Sequence, residues 1–192
     1  MKVLISCEQS GVVRDAFRNL GHDAWSCDTE PTRRPGPHYE CDARLAVTKQ
    51  NWDLMIAHPP CTYLCNSGVR WLHEDAKRWL HLFEAADFFC ELLEADVPLI
   101  SVENPQMHKY AKRLVGRGPD QYIQPYQFGH GETKKTGLWL KGLPGLKPTN
   151  EVDGRHGRIH RMPPGPERGY LRSITYQGIA DAMAEQWGGP LD

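Results

Sequence analysis

The chain of 192 residues carries a formal net charge of −1, with 40% hydrophobic and 24% charged residues. That length holds one domain able to bury a core without staples, and the composition excludes a disordered protein and a coiled coil. The pI near 6.7 excludes a uniformly basic nucleic-acid binder, and no stretch reaches the ~20 apolar residues of a membrane span.

In chain order, the N-terminus is too short and too soon charged at Lys2 for a signal peptide, so a cytoplasmic location is expected. The six cysteines, at 7, 27, 41, 61, 65 and 90, follow no disulfide framework and are expected as reduced thiols. Residues 3–7 predict a strand. Val12, Val13, Ala16, Phe17 and Leu20 recur at helical spacing before Gly21. Residues 23–28 predict a second strand ending in an acid, 29–38 a Pro- and Arg-rich loop, and 39–42 a brief third strand. Residues 52–57 predict a buried strand that runs into His58-Pro59-Pro60-Cys61. The longest helix is expected from Trp71 to about Leu93, with Leu72, Ala76, Trp79, Leu80, Phe83, Ala86, Phe89 and Leu93 as its apolar stripe. Residues 98–102 predict a strand ending at Glu103-Asn104-Pro105, 108–115 a short helix, and 122–128 with 136–140 a hairpin. Residues 141–175 form a basic, loop-rich segment, and 178–187 an amphipathic closing helix.

Strands alternating with helices predict a single α/β domain over residues 1–192, built on a doubly wound, mostly parallel, Rossmann-like sheet with a late antiparallel hairpin. In such sheets function gathers at the carboxyl ends of the strands. That rule selects residues 7–11, Asp28, Asp42, 58–61 and 103–105.

Charge is unevenly spread. Residues 1–108 carry 10 Lys/Arg against 16 Asp/Glu, and residues 109–172 carry 13 against 5. The basic section reads equally as a phosphate-facing surface or as a solvated one.

Two prolines fix the backbone ahead of Cys61, placing a thiol on a stiff loop where a nucleophile is useful if its surroundings favour the thiolate. A buried structural cysteine is the commoner alternative. A carboxylate directly after a buried strand, as at Glu103, is costly unless it is paired or at work; a helix cap is its bland reading. Together they form a nucleophile and an acid at one sheet edge. Cys61 and Cys65 with His58 and His73 invite a zinc reading, but the flanking prolines and the lack of a second cysteine pair argue against it, and no metal is expected. The aromatic residues Trp71, Trp79, Phe83, Phe88 and Phe89 are expected in helix core rather than as a base-stacking platform.

The run Asp53 to Cys61, through His58-Pro59-Pro60, resembles the Pro-Cys nucleophile motif of the DNA cytosine-5 methyltransferases, and Val102-Glu103-Asn104 is similar to their Glu-Asn motif. Residues 128–140 resemble the segment that carries Gln-x-Arg-x-Arg and a strand. Residues 4–28 match the first strand, cofactor loop, helix and second strand, and 176–187 the closing motif. The layout is similar to compact, phage-type members that lack a full target-recognition domain. The resemblance implies a methyltransferase sheet in which Cys61 adds to C6 of cytosine, Glu103 holds the N3 and amino edge, and Lys134 supplies a cation where the family has arginine. It implies S-adenosylmethionine as cofactor, bound through Ser6, Ser10, Gly11, Asp28 (ribose hydroxyls) and Asp42 (adenine amino group). For the substrate, DNA or a cytosine nucleotide, it implies Pro60, Asn104 and Lys135; the basic loop adds Arg155, Arg158 and Arg161 as phosphate contacts.

The sequence departs from the family pattern at Thr62, Glu132 and Thr136, and its cofactor loop has one glycine, Gly11. Two other readings therefore stand beside methylation of DNA cytosine: a different C5 modification or a free nucleotide substrate, and a non-catalytic DNA-binding module that keeps the fold.

Overall fold

The computed structural model describes residues 1–189. Short apolar runs make the strands β1 (Lys2–Ser6), β2 (Asp23–Asp28), β3 (His38–Glu40), β4 (Leu54–Ala57) and β5 (Leu99–Pro105), which pair in parallel. Strands β6 (Gln121–Ile123) and β7 (Thr136–Lys141) complete one seven-stranded sheet in the order β3-β2-β1-β4-β5-β7-β6. The expected late pair is antiparallel, and β7 lies between β5 and β6, antiparallel to both.

Alternate residues of the central strands face opposite layers, as the two-residue period requires. Leu4, Met55 and Ile100 pack under helices α2 (Ala43–Val47), α3 (Lys77–Leu93) and α4 (Lys109–Val115), around Phe89 and Trp139. Val3, Ile5, Leu54 and Ile56 pack under α1 (Val12–Asn19) and the closing helix Gln177–Trp187, around Phe17 and Trp187. Helices on both faces of a mostly parallel sheet are the doubly wound architecture.

Three local expectations change. The helix expected from Trp71 is two elements: a 3₁₀ helix at Asn66–Leu72 and then α3, whose first residue, Lys77, donates its N–H to Asp75 Oδ1 at 2.9 Å. The buried face of α3 is Leu82, Ala86, Phe89 and Leu92, while Leu80 and Phe83 are 61% and 52% exposed. Apolar residues on both flanks blurred the period. Within the basic segment the chain forms α5 (Arg158–Arg161) and α6 (Arg168–Ser173), so the closing helix is α7. Helix α2 is set by its cap: the Asp42 carboxylate accepts the Arg44 N–H at 2.8 Å.

Arg14, on α1, is wholly buried. Its guanidinium meets Asp15 at 2.8 Å, the hydroxyls of Ser26 and Thr32 at 3.2 Å, and the carbonyls of Arg34 and Pro35 at 3.3 and 3.2 Å. A permanent charge survives burial only with this many acceptors. A side chain at Gly36 would press its first carbon to 2.6 Å from the guanidinium carbon, so only glycine lets the loop close over it. Arg14→Ala is expected to cost on the order of 3 kcal/mol, the scale of several lost charge-assisted bonds with one partly exposed partner. Urea unfolding measures that loss, and limited proteolysis should place new cuts within residues 29–37.

Candidate active site

The sheet reverses its winding between β1 and β4, and the chain ends of β1, β2, β4 and β5 gather there, as doubly wound sheets dictate for a ligand crevice. Ala57 pairs with Val102 in register, so His58 to Cys61 and Glu103 to Pro105 leave neighbouring strands at the same height.

The two departing segments are clamped together. His108 N–H donates to the Leu64 carbonyl at 3.0 Å, Asn66 N–H to the Gln106 carbonyl at 3.0 Å, and Cys65 bridges Met107. The His108 ring also meets the Tyr63 carbonyl at 2.8 Å and caps α4 through the Ala111 N–H at 3.1 Å. Inside this frame the Cys61 carbonyl accepts the N–H groups of Leu64 and Cys65 at 3.1 and 3.0 Å, closing a tight turn directly after the two prolines. The thiol therefore sits on a turn braced from both sides.

His58 Nδ1 lies 3.7 Å from Glu103 Oε2, with both side chains nearly buried. That separation is too long for a direct hydrogen bond and short enough for charge coupling. Burial alone would raise the Glu103 pKa; His58 and the positive charge of Lys134 outweigh it, and the carboxyl is held below its ordinary value. Both ring nitrogens of His58, and both ends of the fully buried Asn104 amide, lack protein partners. Buried polar groups left open in this way mark a place prepared for something else.

Cys61 and Cys65 shift each other's pKa in opposite directions. The hydrogen bond to Cys65, burial, and the negative charges of Cys65 and Glu103 push the Cys61 thiol up, with Lys134 opposing. Cys65 is pushed down to about 5 by the bond from Cys61, against burial, with help from the Ser67 hydroxyl and the N–H groups of Ser67 and Gly68. The Ser67 hydroxyl is 2.9 Å from Cys65 Sγ. These influences favour the thiol at Cys61 and the thiolate at Cys65.

Two cavities meet at these strand ends, sharing Cys7, Asp28, Pro60 and Thr62. One, of about 410 Å³, is lined by Asp28, Asp42, Tyr63 and Phe88. The other, of about 680 Å³, holds Cys61, Cys65, His58, Lys134 and Lys135, and is roofed by Ile159 and His160 from α5 with Arg168 and Arg172 from α6. Burial, the Cys27 thiol and then the charges of Asp28 and Asp42 push the Cys7 thiol well up, with Arg44 opposing. Asp28 stands on the wall that the two cavities share. Asp28 spends Oδ1 on the Glu30 N–H at 3.1 Å, whereas Asp42 uses both oxygens on Arg44.

The sequence-selected residues thus divide. Cys61, Lys134, Lys135, Pro60, Asp28 and Asp42 line the two cavities, whereas Glu103 and Asn104 line neither. Asn104 is fully buried, and the nearly buried Glu103 faces His58, which does line the Cys61 cavity. Ser6, Ser10 and Gly11 line neither: Ser6 is buried at the end of β1, the Ser10 hydroxyl donates to Glu8 at 3.1 Å, and Gly11 opens α1 in the left-handed conformation. The Glu8 carboxylate occupies the helix start, accepting the N–H groups of Val13 and Arg14 at 2.8 and 3.2 Å.

Arg155, Arg158 and Arg161 also lie outside the Cys61 cavity. Arg155 stacks on Tyr126 at 3.5 Å, and Arg158 pairs with Glu132 at 3.0 Å. Glu132 in turn accepts from the Tyr176 hydroxyl at 2.7 Å, which ties the basic segment to the sheet. Residues that the sequence did not single out as ligands, His58, Cys65, Arg78, Trp71, Arg168 and Arg172, line the cavity instead. Among the described residues, no three His, Cys, Asp or Glu side chains converge as a metal-holding cluster.

No protein-family model matches the sequence, and no curated protein matches it. Among solved structures, the fold is similar to that of a provisionally named DNA modification methyltransferase encoded within a prophage (E. coli), with a TM-score of 0.51 at 14% identity. The match covers 80% of this chain and 52% of that one, so the chain spans about half the length of that protein and the likeness is one of fold.

Removing the Cys65 charge should lower the Cys61 pKa, because the bond and the repulsion that hold the proton on Cys61 vanish together. In Cys65→Ala, iodoacetamide alkylation of Cys61, followed by peptide mass mapping, should therefore run faster at neutral pH and shift its midpoint to lower pH. An unchanged profile would mean that the two thiols titrate independently.

Proposed function

We propose that the chain is an S-adenosylmethionine-dependent methyltransferase that acts on C5 of cytosine in DNA, with Cys61 as nucleophile. The observation that carries this reading is the braced turn that sets Cys61 beside Glu103 at the ends of β4 and β5, opening on a cationic cavity that joins an acidic one. The likeness in fold to a protein named as a DNA modification methyltransferase supports the same class.

The acidic cavity suits the donor. A sulfonium cation is favoured near the Asp28 carboxylate on the shared wall, and Asp28 keeps an oxygen for ribose hydroxyls. Bound there, the cofactor would supply an electrophilic methyl group.

Cytosine C5 is a weak nucleophile until C6 is attacked. In our reading the Cys61 proton passes to Cys65 and the Cys61 sulfur bonds C6. The C5–C6 π pair then moves onto C5, which takes the methyl. Loss of the C5 proton returns that pair to the ring, the C6–S bond breaks, and one proton is released overall. Glu103, held ionised by His58 and Lys134, accepts from the exocyclic amino group. N3 takes up a proton from solvent as sulfur adds to C6 and gives it back when the C6–S bond breaks. Glu103 thereby gains a second donor in the adduct, and its grip strengthens there. Lys134 sits on the opposite side of the charge balance, compensating O2 as negative charge gathers there.

DNA containing 5-fluorocytosine should trap Cys61 covalently in the presence of the donor, because fluorine cannot leave as a cation; denaturing gels and peptide mapping read the adduct. Cys61→Ser should form none, since a hydroxyl is a far weaker nucleophile near neutral pH. Glu103→Gln should slow trapping by orders of magnitude with the fold intact. An adduct mapped to Cys65 would sink this assignment. Asp28→Ala should weaken S-adenosylmethionine binding by about 1–3 kcal/mol in calorimetry, the scale of a lost hydrogen bond to a charged group; no binding to the wild type at millimolar donor would refute the cofactor assignment.

A further inference from the structure

The larger cavity has a rim that the cysteine chemistry does not use. Trp71, at the end of the 3₁₀ helix, is 41% exposed while lining that cavity. It is not core, contrary to the expectation from its spacing. The Arg70 guanidinium stacks on its ring at 4.2 Å. Arg78, in the first turn of α3, lines the same wall, and its Nε is buried without a hydrogen-bond partner. Arg168 and Arg172 project from α6 on the facing side; Arg168 spends Nε on the Met162 carbonyl at 2.9 Å. With Lys134 and Lys135, these cations face one lining carboxylate, Asp28.

An exposed indole beside several cations and an unmet guanidinium N–H is the chemistry that grips a nucleic-acid strand. Bases stack on aromatic faces whatever their identity, and phosphates satisfy guanidinium donors. A mononucleotide filling the Cys61 subsite has one phosphate group and no second base, and leaves most of this rim without a ligand.

We propose that Trp71 stacks on the base next to the target cytosine while Arg78, Arg168 and Arg172 hold the flanking phosphates, so that the substrate is a strand with its target nucleotide unpaired rather than a free nucleotide. The inference rests on the reading of Cys61 as the nucleophile toward cytosine. Stacking and ion pairing respond differently to salt. A lost stack weakens binding without changing counterion release, whereas a lost phosphate contact flattens the salt slope by about 0.7 for a single strand.

Fluorescence anisotropy with a labelled single-stranded octanucleotide carrying one central cytosine, measured across a salt series, separates the two contributions. Trp71→Ala should lower affinity about 5- to 100-fold with an unchanged slope, and Trp71→Phe should recover most of the loss. Arg172→Ala should lower affinity and flatten the slope. Deoxycytidine monophosphate should compete at least 100-fold more weakly than the octanucleotide, equally for wild type and Trp71→Ala. Wild-type affinity in Trp71→Ala, or equal competition by the mononucleotide, overturns the inference. The same octanucleotide with 5-fluorocytosine keeps the two readings apart. If wild type forms the Cys61 adduct while Trp71→Ala binds normally, the rim assignment fails and the C5 chemistry stands. If the variants behave as expected but no adduct forms, the rim stands and the C5 chemistry fails. If wild type does not bind the octanucleotide at all, the rim assignment fails, and trapping on duplex DNA with 5-fluorocytosine decides the C5 chemistry separately.

Discussion

The buried guanidinium of Arg14 is the constraint on which the upper half of the molecule depends. Its acceptors come from α1 itself, from β2 and from the loop over residues 32–35. That loop would otherwise be a Pro- and Arg-rich tether with no core of its own. Once pinned, it presents Arg33, which reaches Gln9, stacks on Tyr170 at 4.7 Å and approaches Glu167 at 3.6 Å. Tyr170 lies on α6, and α6 roofs the Cys61 cavity. One charge buried under the first helix thereby sets the height of the cavity's ceiling. The exposed ion pair between Arg33 and Glu167 adds little on its own; the stack and the pinned backbone carry the connection.

The floor of the cavity is built by a different rule. Parallel pairing of β4 with β5 brings the ends of both strands to one edge, but it leaves the loops free to diverge. The bonds from His108 and Asn66 across to residues 64 and 106 remove that freedom. The clamp is largely main chain, so it depends on the lengths of the two loops more than on their side chains. His108 is the exception, since its ring serves both the loop carbonyl of Tyr63 and the start of α4.

Much of the sheet was legible because buried parallel strands leave short apolar runs, and because acids and prolines at their ends have few other uses. That pattern selects Cys61, Glu103 and Asp28, whereas Lys134 comes only from the resemblance of residues 128–140. The rest was hidden for identifiable reasons. Arg14 sits at a helical position that its charge assigns to solvent, and only the folded loop supplies its acceptors. Arg168 and Arg172 reach the cavity through two short helices whose residues show no apolar period. Arg155 and Arg158 were the more conspicuous cluster in sequence, yet Tyr126 and Glu132, distant in the chain, engage them. Trp71 was grouped with the core because the apolar stripe of α3 runs back into it unbroken, while the backbone changes to a 3₁₀ helix there.

The glycine-poor loop after β1 bears on which cofactor the fold accepts. Cys7 takes the left-handed conformation at φ 58, usually left to glycine, and is held there by the bond from the Glu8 N–H to the Cys27 carbonyl at 2.9 Å. Glu8 then folds its carboxylate onto the first N–H groups of α1. In dinucleotide-binding sheets those groups and the positive end of the helix receive a pyrophosphate. Here a carboxylate already satisfies them, and a second anion would meet its charge at close range. Beside it the wall shared by the two cavities carries the Asp28 carboxylate. A pyrophosphate at the start of α1 would therefore meet two carboxylates, Glu8 and Asp28, with no free helix N–H groups to offset them. The loop that lacks further glycines is closed to that kind of anion, and the donor proposed above needs no anion site there.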